Sequence, residues 1–294
     1  MATFAEWVDG ARPRTLGAAV APIFVGTGVA AAEDSLVLGF ALLAFIVMVS
    51  AQVGVNYAND YSDGVRGTDH QRVGPVRLVG QGLAPAAQVK AAAVAALMLS
   101  AICGLALVGL SGHWWLLAPG AVSIAAAWLY TGGPKPYGYL GLGEIAVFVF
   151  FGLVPVLGTT YVQTSTFPAA SWLGGVGVGA LSCAILVANN LRDIPTDREV
   201  GKHTLAVRIG DRATRILFIA LLLIAFAVLP ILAVPHGLGL TYAWIAVLAF
   251  PLGVPPTLAV LRGAQGRALV RVLQTTGILT LAYGVLLGLG LSLS

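Results

Sequence analysis

The feature that most constrains the fold is a series of nine continuous apolar runs, each 17 to 26 residues long, separated by more polar segments. An α-helix needs about 20 apolar residues to cross the ~30 Å hydrocarbon core of a bilayer. A membrane β-strand would instead alternate apolar and polar residues. The runs are continuous, so they predict membrane-spanning helices. The predicted spans cover residues 16–32, 36–57, 91–110, 114–130, 140–162, 172–190, 216–234, 241–261 and 268–293.

The composition excludes a soluble protein. Only 10% of the residues are charged and 58% are hydrophobic, whereas a soluble domain carries about 25% charged residues. Too few polar residues are present to cover the surface of a water-exposed domain. A disordered chain is also excluded, because such chains have few hydrophobic and many charged residues. We therefore expect an all-α, polytopic membrane protein that forms a single integral-membrane domain over residues 1–294.

The basic residues predict the orientation, because short cytoplasmic loops of membrane proteins hold the excess of Lys and Arg. With nine spans and a cytoplasmic N-terminus, all 16 Lys and Arg residues fall in the N-terminal tail, in the segments after spans two, four, six and eight or, for Arg271, in the first turn of the ninth span beside the last of these segments. The two longest cytoplasmic loops are then residues 58–90 and 191–215. We interpret four of the arginines as topology anchors that contact lipid headgroups. They are Arg12, Arg262, Arg267 and Arg271.

Each long cytoplasmic loop begins with a cluster of acids and amides. The first cluster contains Asn59, Asp60, Asp63 and Asp69, and the second contains Asn189, Asn190, Asp193 and Asp197. In both clusters an asparagine is followed by an aspartate four residues later, which places oxygen atoms on one helix face, one turn apart.

These clusters predict a site for a metal-complexed diphosphate. Unpaired carboxylates would repel one another at the membrane edge, and Mg²⁺ typically binds a few carboxylates together with substrate phosphates. Basic residues interleave with the acids and would contact the anion; they are Arg66, Arg192, Arg198 and Lys202. The alternative interpretation is a pair of solvated turns, but two clusters with one spacing on the same side argue against it.

Glu144 is the other acid that needs an explanation. It lies near the start of the fifth predicted span, where an unpaired carboxylate is costly. We therefore treat Glu144 as a possible site residue that pairs with Lys135.

Several motifs resemble the UbiA-type intramembrane prenyltransferases, most closely the branch of 1,4-dihydroxy-2-naphthoate polyprenyltransferases of menaquinone biosynthesis. The two Asp-rich motifs are NDYSDGVRGTD at 59–69 and NNLRDIPTDREVGKHTLAVRIG at 189–210. Two further segments of this chain resemble that branch. They are ARPRT at 11–15 and YTGGPKPYGYLGLGE at 130–144. The motifs occur in order and cover nearly the whole chain from Ala11 to about Gly210.

The resemblance implies nine helices around a central cavity, short cytoplasmic cap helices and a magnesium-dependent site. The implied magnesium ligands are Asn59, Asp63, Asp69, Asp193 and Asp197, with Asp60 and Asn189 as additional ligands. The implied diphosphate contacts are Lys135, Arg66, Arg198 and Lys202. The residues expected to line the acceptor pocket are Arg14 and Tyr130.

The resemblance also implies the reaction. The chain would join a polyprenyl diphosphate to 1,4-dihydroxy-2-naphthoate with loss of diphosphate and carbon dioxide, giving demethylmenaquinone. It would act in the bilayer, in a bacterial inner membrane, with the active site facing the cytoplasm. Nothing in the sequence indicates nucleic-acid binding or a protein partner.

Two alternatives stay open at this point. A sister prenyltransferase would use another aromatic acceptor, such as 4-hydroxybenzoate. A cation-coupled secondary transporter would explain the repeated acidic motif, although transporter sites usually lie near the bilayer midplane rather than at its edge.

Overall fold

In a computed structural model, residues 2–67, 76–233 and 238–294 are described, and every regular element among them is helical. The all-α prediction is therefore confirmed for this part of the chain. The α-helices are α1 (Phe4–Gly10), α2 (Gly17–Ala32), α3 (Leu38–Arg66), α4 (Ala86–Ser111), α5 (Leu117–Leu129), α6 (Gly143–Phe148), α7 (Val154–Thr164), α8 (Ala169–Glu199), α9 (Leu205–Ala233), α10 (Phe250–Leu261) and α11 (Arg267–Ser292). Short 3₁₀ helices cover Pro13–Thr15, Trp114–Leu116, Tyr137–Leu140 and Thr241–Ala249, and a π-helical turn covers Val149–Leu153.

Seven of the described helices are long and apolar enough to cross a membrane. A bent pair, Phe4–Thr15 followed by Gly17–Ala32, has halves that meet at 50° and counts as an eighth candidate only if both halves form one span. A shorter apolar helix, Trp114–Leu129, lies at the position predicted for the fourth span. Each predicted span thus coincides with helical structure, and seven or eight of them meet the length and hydropathy expected of a crossing.

Small residues let the central helices approach closely. Helix α2 packs along α11, and a Cβ atom added at Gly28 would lie 2.2 Å from the carbonyl oxygen of Gly288. A Cβ atom at Gly17 would likewise lie 2.6 Å from the carbonyl oxygen of Gly277. Apolar side chains gain little by leaving lipid for a helix interface, so membrane helices associate through such close packing. Because the contacts advance in the same direction along both helices, α2 and α11 are parallel.

The helices that carry the two polar motifs extend further than the apolar runs. Helix α3 continues to Arg66, nine residues past the predicted end of the second span, and α8 continues to Glu199. Helix α3 ends at Gly67, whose φ of 71° is the left-handed conformation common at helix ends. Asn59, Asp63, Asp193 and Asp197 therefore lie on helical turns rather than in loops.

The fifth predicted span is a continuous but irregular helical path through α6, the π-helical turn and α7. Pro155 follows the π-helical turn and has no N–H to donate into it, which favours an irregular turn here. A Cβ atom at Gly152 would lie 2.5 Å from the Cα atom of Gly179, so this path is pressed against α8. The irregular turn places Phe150 and Phe151 on the wall of the cavity described next.

Candidate functional site

One cavity of about 860 Å³ lies among the helices and is lined by both polar motifs at one end. Its other walls are mostly apolar side chains from α3, α4, α5 and the α6–α7 path. The motif residues on its surface are Asn59, Asp63, Asn189, Asn190, Asp197, Lys202 and Thr204. The two acidic clusters, which are far apart in the sequence, therefore share one site.

Lys202 links the second motif to the first. Its Nζ atom lies 3.3 Å from Asp63 Oδ1, and its backbone N–H donates to the carbonyl oxygen of Asp197 at 2.8 Å. The Asp63 side chain is only 4% exposed. Its Oδ1 also accepts a hydrogen bond from the Tyr139 hydroxyl at 2.5 Å, and its Oδ2 lies 4.0 Å from Arg77 Nη2. Buried carboxylate charge is thus balanced by cations that border the same cavity.

The segment after α5 is hydrogen-bonded to α3 close to the Asp63 carboxylate. Asn59 Oδ1 accepts a hydrogen bond from the Thr131 hydroxyl at 2.7 Å. The Arg66 guanidinium donates to the carbonyl oxygens of Thr131 and Gly133. The ring of Tyr139 lies 5.6 Å from the Arg66 guanidinium and 4.4 Å from Lys202 Nζ, both within cation–π range. Arg66 itself is exposed and does not line the cavity, so its predicted contact with the diphosphate stays a prediction.

The second motif has its own buried ion pair. Arg192 donates to both oxygens of Asp193, at 2.6 and 2.8 Å, and to Asn189 Oδ1 at 2.9 Å. Asp193 is 3% exposed and lies behind the cavity wall rather than on it. Asn189, one turn earlier on α8, does reach the cavity. The arrangement orients the amide oxygen of Asn189 through the guanidinium of Arg192.

Glu144 pairs with a different residue from the one expected. Its Oε1 accepts a hydrogen bond from Asn190 Nδ2 at 3.0 Å, and Asn190 lines the cavity. Lys135 is exposed in the segment between α5 and α6. The sequence was right that Glu144 needs a partner, but the partner is an amide on α8.

Asp60 is turned away from the other acids. Its carboxylate accepts hydrogen bonds from the backbone N–H groups of Leu78 at 2.6 Å and Val79 at 3.2 Å. Asp60 does not line the cavity, although it is only three residues from Asp63 on the same helix. Its observed role is to hold the segment that follows α3.

Some of the remaining predicted residues line the cavity and others do not. Tyr130 lines the cavity, and its contact with the acceptor stays a prediction. Arg14, Lys135 and Arg198 are exposed and do not line it, so their contacts with substrate stay predictions. Asp69 lies outside the described residues.

Sequence reasoning missed several residues that border the cavity. They are Arg12, Gln52, Asn56, Arg77, Thr131 and Tyr139. A signal for two of them was present, because Gln52 and Asn56 lie at helical spacing before Asn59 and Asp63 on one face of α3. The other four come from segments without a distinguishing spacing.

The polar end of the cavity fits a divalent metal only together with a phosphorylated ligand. In the parts of the chain that are described, no three His, Cys, Asp or Glu side chains form a ready-made metal site. The donors that face the cavity are carboxylate and amide oxygens, which suit Mg²⁺, and Mg²⁺ commonly completes its coordination with phosphate and water. Lys202 and Arg77 add positive charge for the anion. The donor set therefore suits a magnesium–diphosphate complex better than a bare cation.

Comparisons of the sequence and of the structure with known proteins point to the same family. Residues 19–276 match the UbiA prenyltransferase family. The chain is 52% identical to a 1,4-dihydroxy-2-naphthoate octaprenyltransferase of Mycobacterium tuberculosis, over 97% of this chain and 96% of that protein. A solved structure of a UbiA homologue from Aeropyrum pernix superimposes with a TM-score of 0.70 at 17% identity, covering 94% of this chain and 97% of that one. A UbiA homologue from Archaeoglobus fulgidus bound to DMAPP and Mg²⁺ gives a TM-score of 0.61 at 14% identity, covering 96% and 99%.

Proposed function

Because the chain belongs to the UbiA prenyltransferase family, we propose that it transfers a polyprenyl group from a polyprenyl diphosphate to 1,4-dihydroxy-2-naphthoate. The products are diphosphate, carbon dioxide and demethylmenaquinol, the reduced form of demethylmenaquinone, so the enzyme acts in menaquinone biosynthesis. The single observation that carries the proposal is that both acidic motifs line the same end of one cavity whose other walls are mostly apolar. Lys202 of the second motif forms an ion pair with Asp63 of the first at this end. The 52% identity to the mycobacterial octaprenyltransferase supports the choice of acceptor.

The polar end of the cavity binds the diphosphate. Asn59, Asp63, Asn189 and Asp197 line the cavity and would hold magnesium, and we keep Asp69 and Asp193 as further proposed ligands. Magnesium, when bound, supplies positive charge to the departing diphosphate, and it accompanies DMAPP in the archaeal homologue. Lys202 and Arg77 lie within 4.0 Å of Asp63 and face the same anion.

The chain's own contribution to the reaction is electrostatic and steric. Ionisation of an allylic diphosphate is slow because negative charge builds up on the leaving group. Cations already fixed beside the cavity stabilise that charge as it develops. Phe150, Phe151 and the other apolar walls keep water from the allylic cation, and the electron-rich naphthoate ring then attacks it through carbon.

The chain is a multi-pass membrane protein, and we propose nine crossings with a cytoplasmic N-terminus. Parallel packing of α2 and α11 supports this count, because an odd number of crossings must lie between two parallel helices. That condition holds only if the short apolar helix Trp114–Leu129 also crosses. The active site then faces the cytoplasm of a bacterial inner membrane, on the side where the basic residues lie.

The test is an assay of the purified protein with magnesium, a polyprenyl diphosphate and a panel of aromatic acceptors. We expect prenylated product from 1,4-dihydroxy-2-naphthoate, release of carbon dioxide, and complete loss of turnover in EDTA that magnesium restores. Product from 4-hydroxybenzoate alone would reassign the acceptor. Cation-coupled substrate uptake into proteoliposomes without any prenylated product would refute the enzymatic proposal.

A further inference from the structure

A second cavity, of about 250 Å³, lies between the end of α3, the start of α4 and the segment after α5. None of the residues that line it also lines the larger cavity. Pockets that enclose whole small molecules measure roughly 300–1,000 Å³, so the second cavity fits a polar headgroup better than a second substrate. Its lining residues are Tyr61, Ser62, Val65, Arg66, Lys90, Trp128, Gly132 and Gly133.

The polar side chains of the second cavity are hydrogen-bond donors, and none of its described lining residues is a carboxylate. Lys90 and Arg66 are both exposed, and neither belongs to the ion pairs formed within the described part of the chain. The Arg66 guanidinium donates to the carbonyl oxygens of Thr131 and Gly133, and three of its five N–H groups are left over. Trp128 adds an indole N–H, which only donates. Two positive charges among donors indicate a site for an anion.

The hydroxyl of Ser62 is a second sign that this cavity receives a ligand. Ser62 is only 8% exposed and lines the cavity, yet its hydroxyl forms no hydrogen bond within the described part of the chain. A serine in a helix often donates to the carbonyl oxygen one turn before it, as Ser50 of the same helix does to Ile46 at 2.6 Å. The Oγ atom of Ser62 is not sealed inside the protein either. It is therefore presented to the cavity, where an oxygen atom of a ligand would accept its proton.

The second cavity lies beside a face of α4 that is exposed and apolar. Lys90 is in the second turn of α4, and Val94, Met98 and Ile102 follow it at steps of four. These three residues are 40, 57 and 61% exposed, on a helix that is long and apolar enough to cross a membrane. A lysine near the end of such a helix carries its charge to the level of the lipid headgroups. The Nζ atom of Lys90 also lies 5.6 Å from the ring of Tyr61, on the wall of the cavity.

We propose that the second cavity binds the phosphate group of an anionic phospholipid whose acyl chains lie along the exposed face of α4. Lys90 and Arg66 supply the positive charge, and Ser62 donates a hydrogen bond to a phosphate oxygen. Basic pockets between the ends of membrane helices match anionic headgroups. A zwitterionic lipid carries its own cation and is expected to bind less tightly. The inference goes beyond the proposed function and does not depend on it, because lipid binding is measured without turnover.

The test is native mass spectrometry of the purified protein, released from micelles that contain equal amounts of phosphatidylglycerol and phosphatidylcholine. Each cation near the headgroup contributes a factor of about 5 in affinity. We therefore expect the unmodified protein to retain one phosphatidylglycerol, with a preference of about 30-fold over phosphatidylcholine. Lys90→Gln should lower this preference to about 5-fold. Lys90→Arg keeps the charge and should keep the preference.

Two further variants separate a built site from diffuse attraction. Ser62→Ala removes one hydroxyl and no charge, and should weaken phosphatidylglycerol binding about 2- to 10-fold. Arg212→Gln removes an exposed arginine near the start of α9 that lines neither cavity, and should retain the lipid as the unmodified protein does. Each variant is compared only if its Tm in detergent is unchanged. Ser62→Ala provides the test if Lys90→Gln does not fold.

The proposal is overturned if Arg212→Gln loses as much phosphatidylglycerol as Lys90→Gln, because binding would then follow net charge alone. Equal retention of both lipids by the unmodified protein also overturns it. Displacement of the lipid by excess inorganic phosphate would assign the cavity to a free anion, and displacement by excess polyprenyl diphosphate would assign it to the substrate. Either result refutes the phospholipid site. None of these outcomes bears on the proposed function, which is tested by product formation.

Discussion

The hydroxyl of Tyr139 offers the sharpest single-atom test of the site. It donates to Asp63 Oδ1 at 2.5 Å, while the ring of the same residue lies 4.4 Å from Lys202 Nζ. Tyr139→Phe removes the hydroxyl and keeps the ring, so the cation–π contact stays and only the hydrogen bond to the carboxylate is lost. The perturbation thus acts on the orientation and charge of one proposed magnesium ligand.

The size of the effect follows from the burial of this pair. The Asp63 side chain is 4% exposed, so water cannot replace the missing donor easily. A hydrogen bond to a charged group contributes about 1.5–3 kcal/mol. If that contribution is made in the transition state, kcat/KM for polyprenyl diphosphate falls by about 10- to 150-fold.

The assay is steady-state prenyl transfer at saturating 1,4-dihydroxy-2-naphthoate, repeated over a range of magnesium concentrations. We expect Tyr139→Phe to lower kcat/KM for the diphosphate and to raise the magnesium concentration needed for half-maximal rate. Tyr61→Phe is the matched control, because Tyr61 is also a tyrosine of the site region but stacks on Trp128 outside the cavity. Its kinetics should not change.

Two results would refute this reasoning. A folded Tyr139→Phe with unchanged kcat/KM and unchanged magnesium dependence would show that the hydroxyl does not support Asp63 during turnover. An effect confined to the KM of the naphthoate would place Tyr139 at the acceptor instead of at the diphosphate.

Three further predictions address the motif, the packing and the loop after α5. Asp63→Asn should lower turnover about 10²- to 10³-fold while circular dichroism shows unchanged helix content, and retention of full turnover would exclude Asp63 as a ligand. Gly28→Leu should destabilise the protein by about 1–3 kcal/mol through overpacking, measured as a lower Tm in detergent. Gly39→Leu, where an added Cβ meets nothing within 4 Å, should melt normally. Burial raises the pKa of Tyr137 to about 12 from its ordinary value of 10.0. Its neutral form is therefore favoured by folding, and the resulting stability is complete below pH 10.0 and lost as the pH rises through about 12. An ultraviolet titration that subtracts Tyr137→Phe should show this late ionisation, and a phenol that ionises at its ordinary pKa would contradict it.

Much of the site was predictable because its signals are local. Asn59 and Asp63 share a helix face through their spacing alone, and the same is true of Asn189 and Asp193. The prediction that both motifs meet at one cavity is consistent with the lining by Asp63 and Asp197. The predicted loops were too long, however, because polar residues can continue a helix once it leaves the apolar region.

The structure differs most from the arrangement expected from the sequence where side-chain direction depends on distant contacts. Arg12 and Arg14 are only two residues apart, but Arg12 lines the cavity and Arg14 is exposed. The backbone just before Arg12 is bonded to α3, because Asn56 donates to the carbonyl oxygen of Ala11. Asp60 looks like a third ligand in the sequence, yet backbone N–H groups 18 and 19 residues later bind its carboxylate. These contacts join residues far apart in the sequence, so no periodic pattern in the sequence predicts them.

The amino-acid sequence by itself determined the all-helical membrane architecture and the two helical turns that carry the acids, because lipid demands long apolar helices and helix periodicity is a local property. Only the tertiary structure decided which charges face the cavity. Tyr139 reaches Asp63 from 76 residues away and Lys202 from 139. Pairings over such separations depend on how the helices pack, and that packing is set by many weak contacts between apolar surfaces that look alike in the sequence.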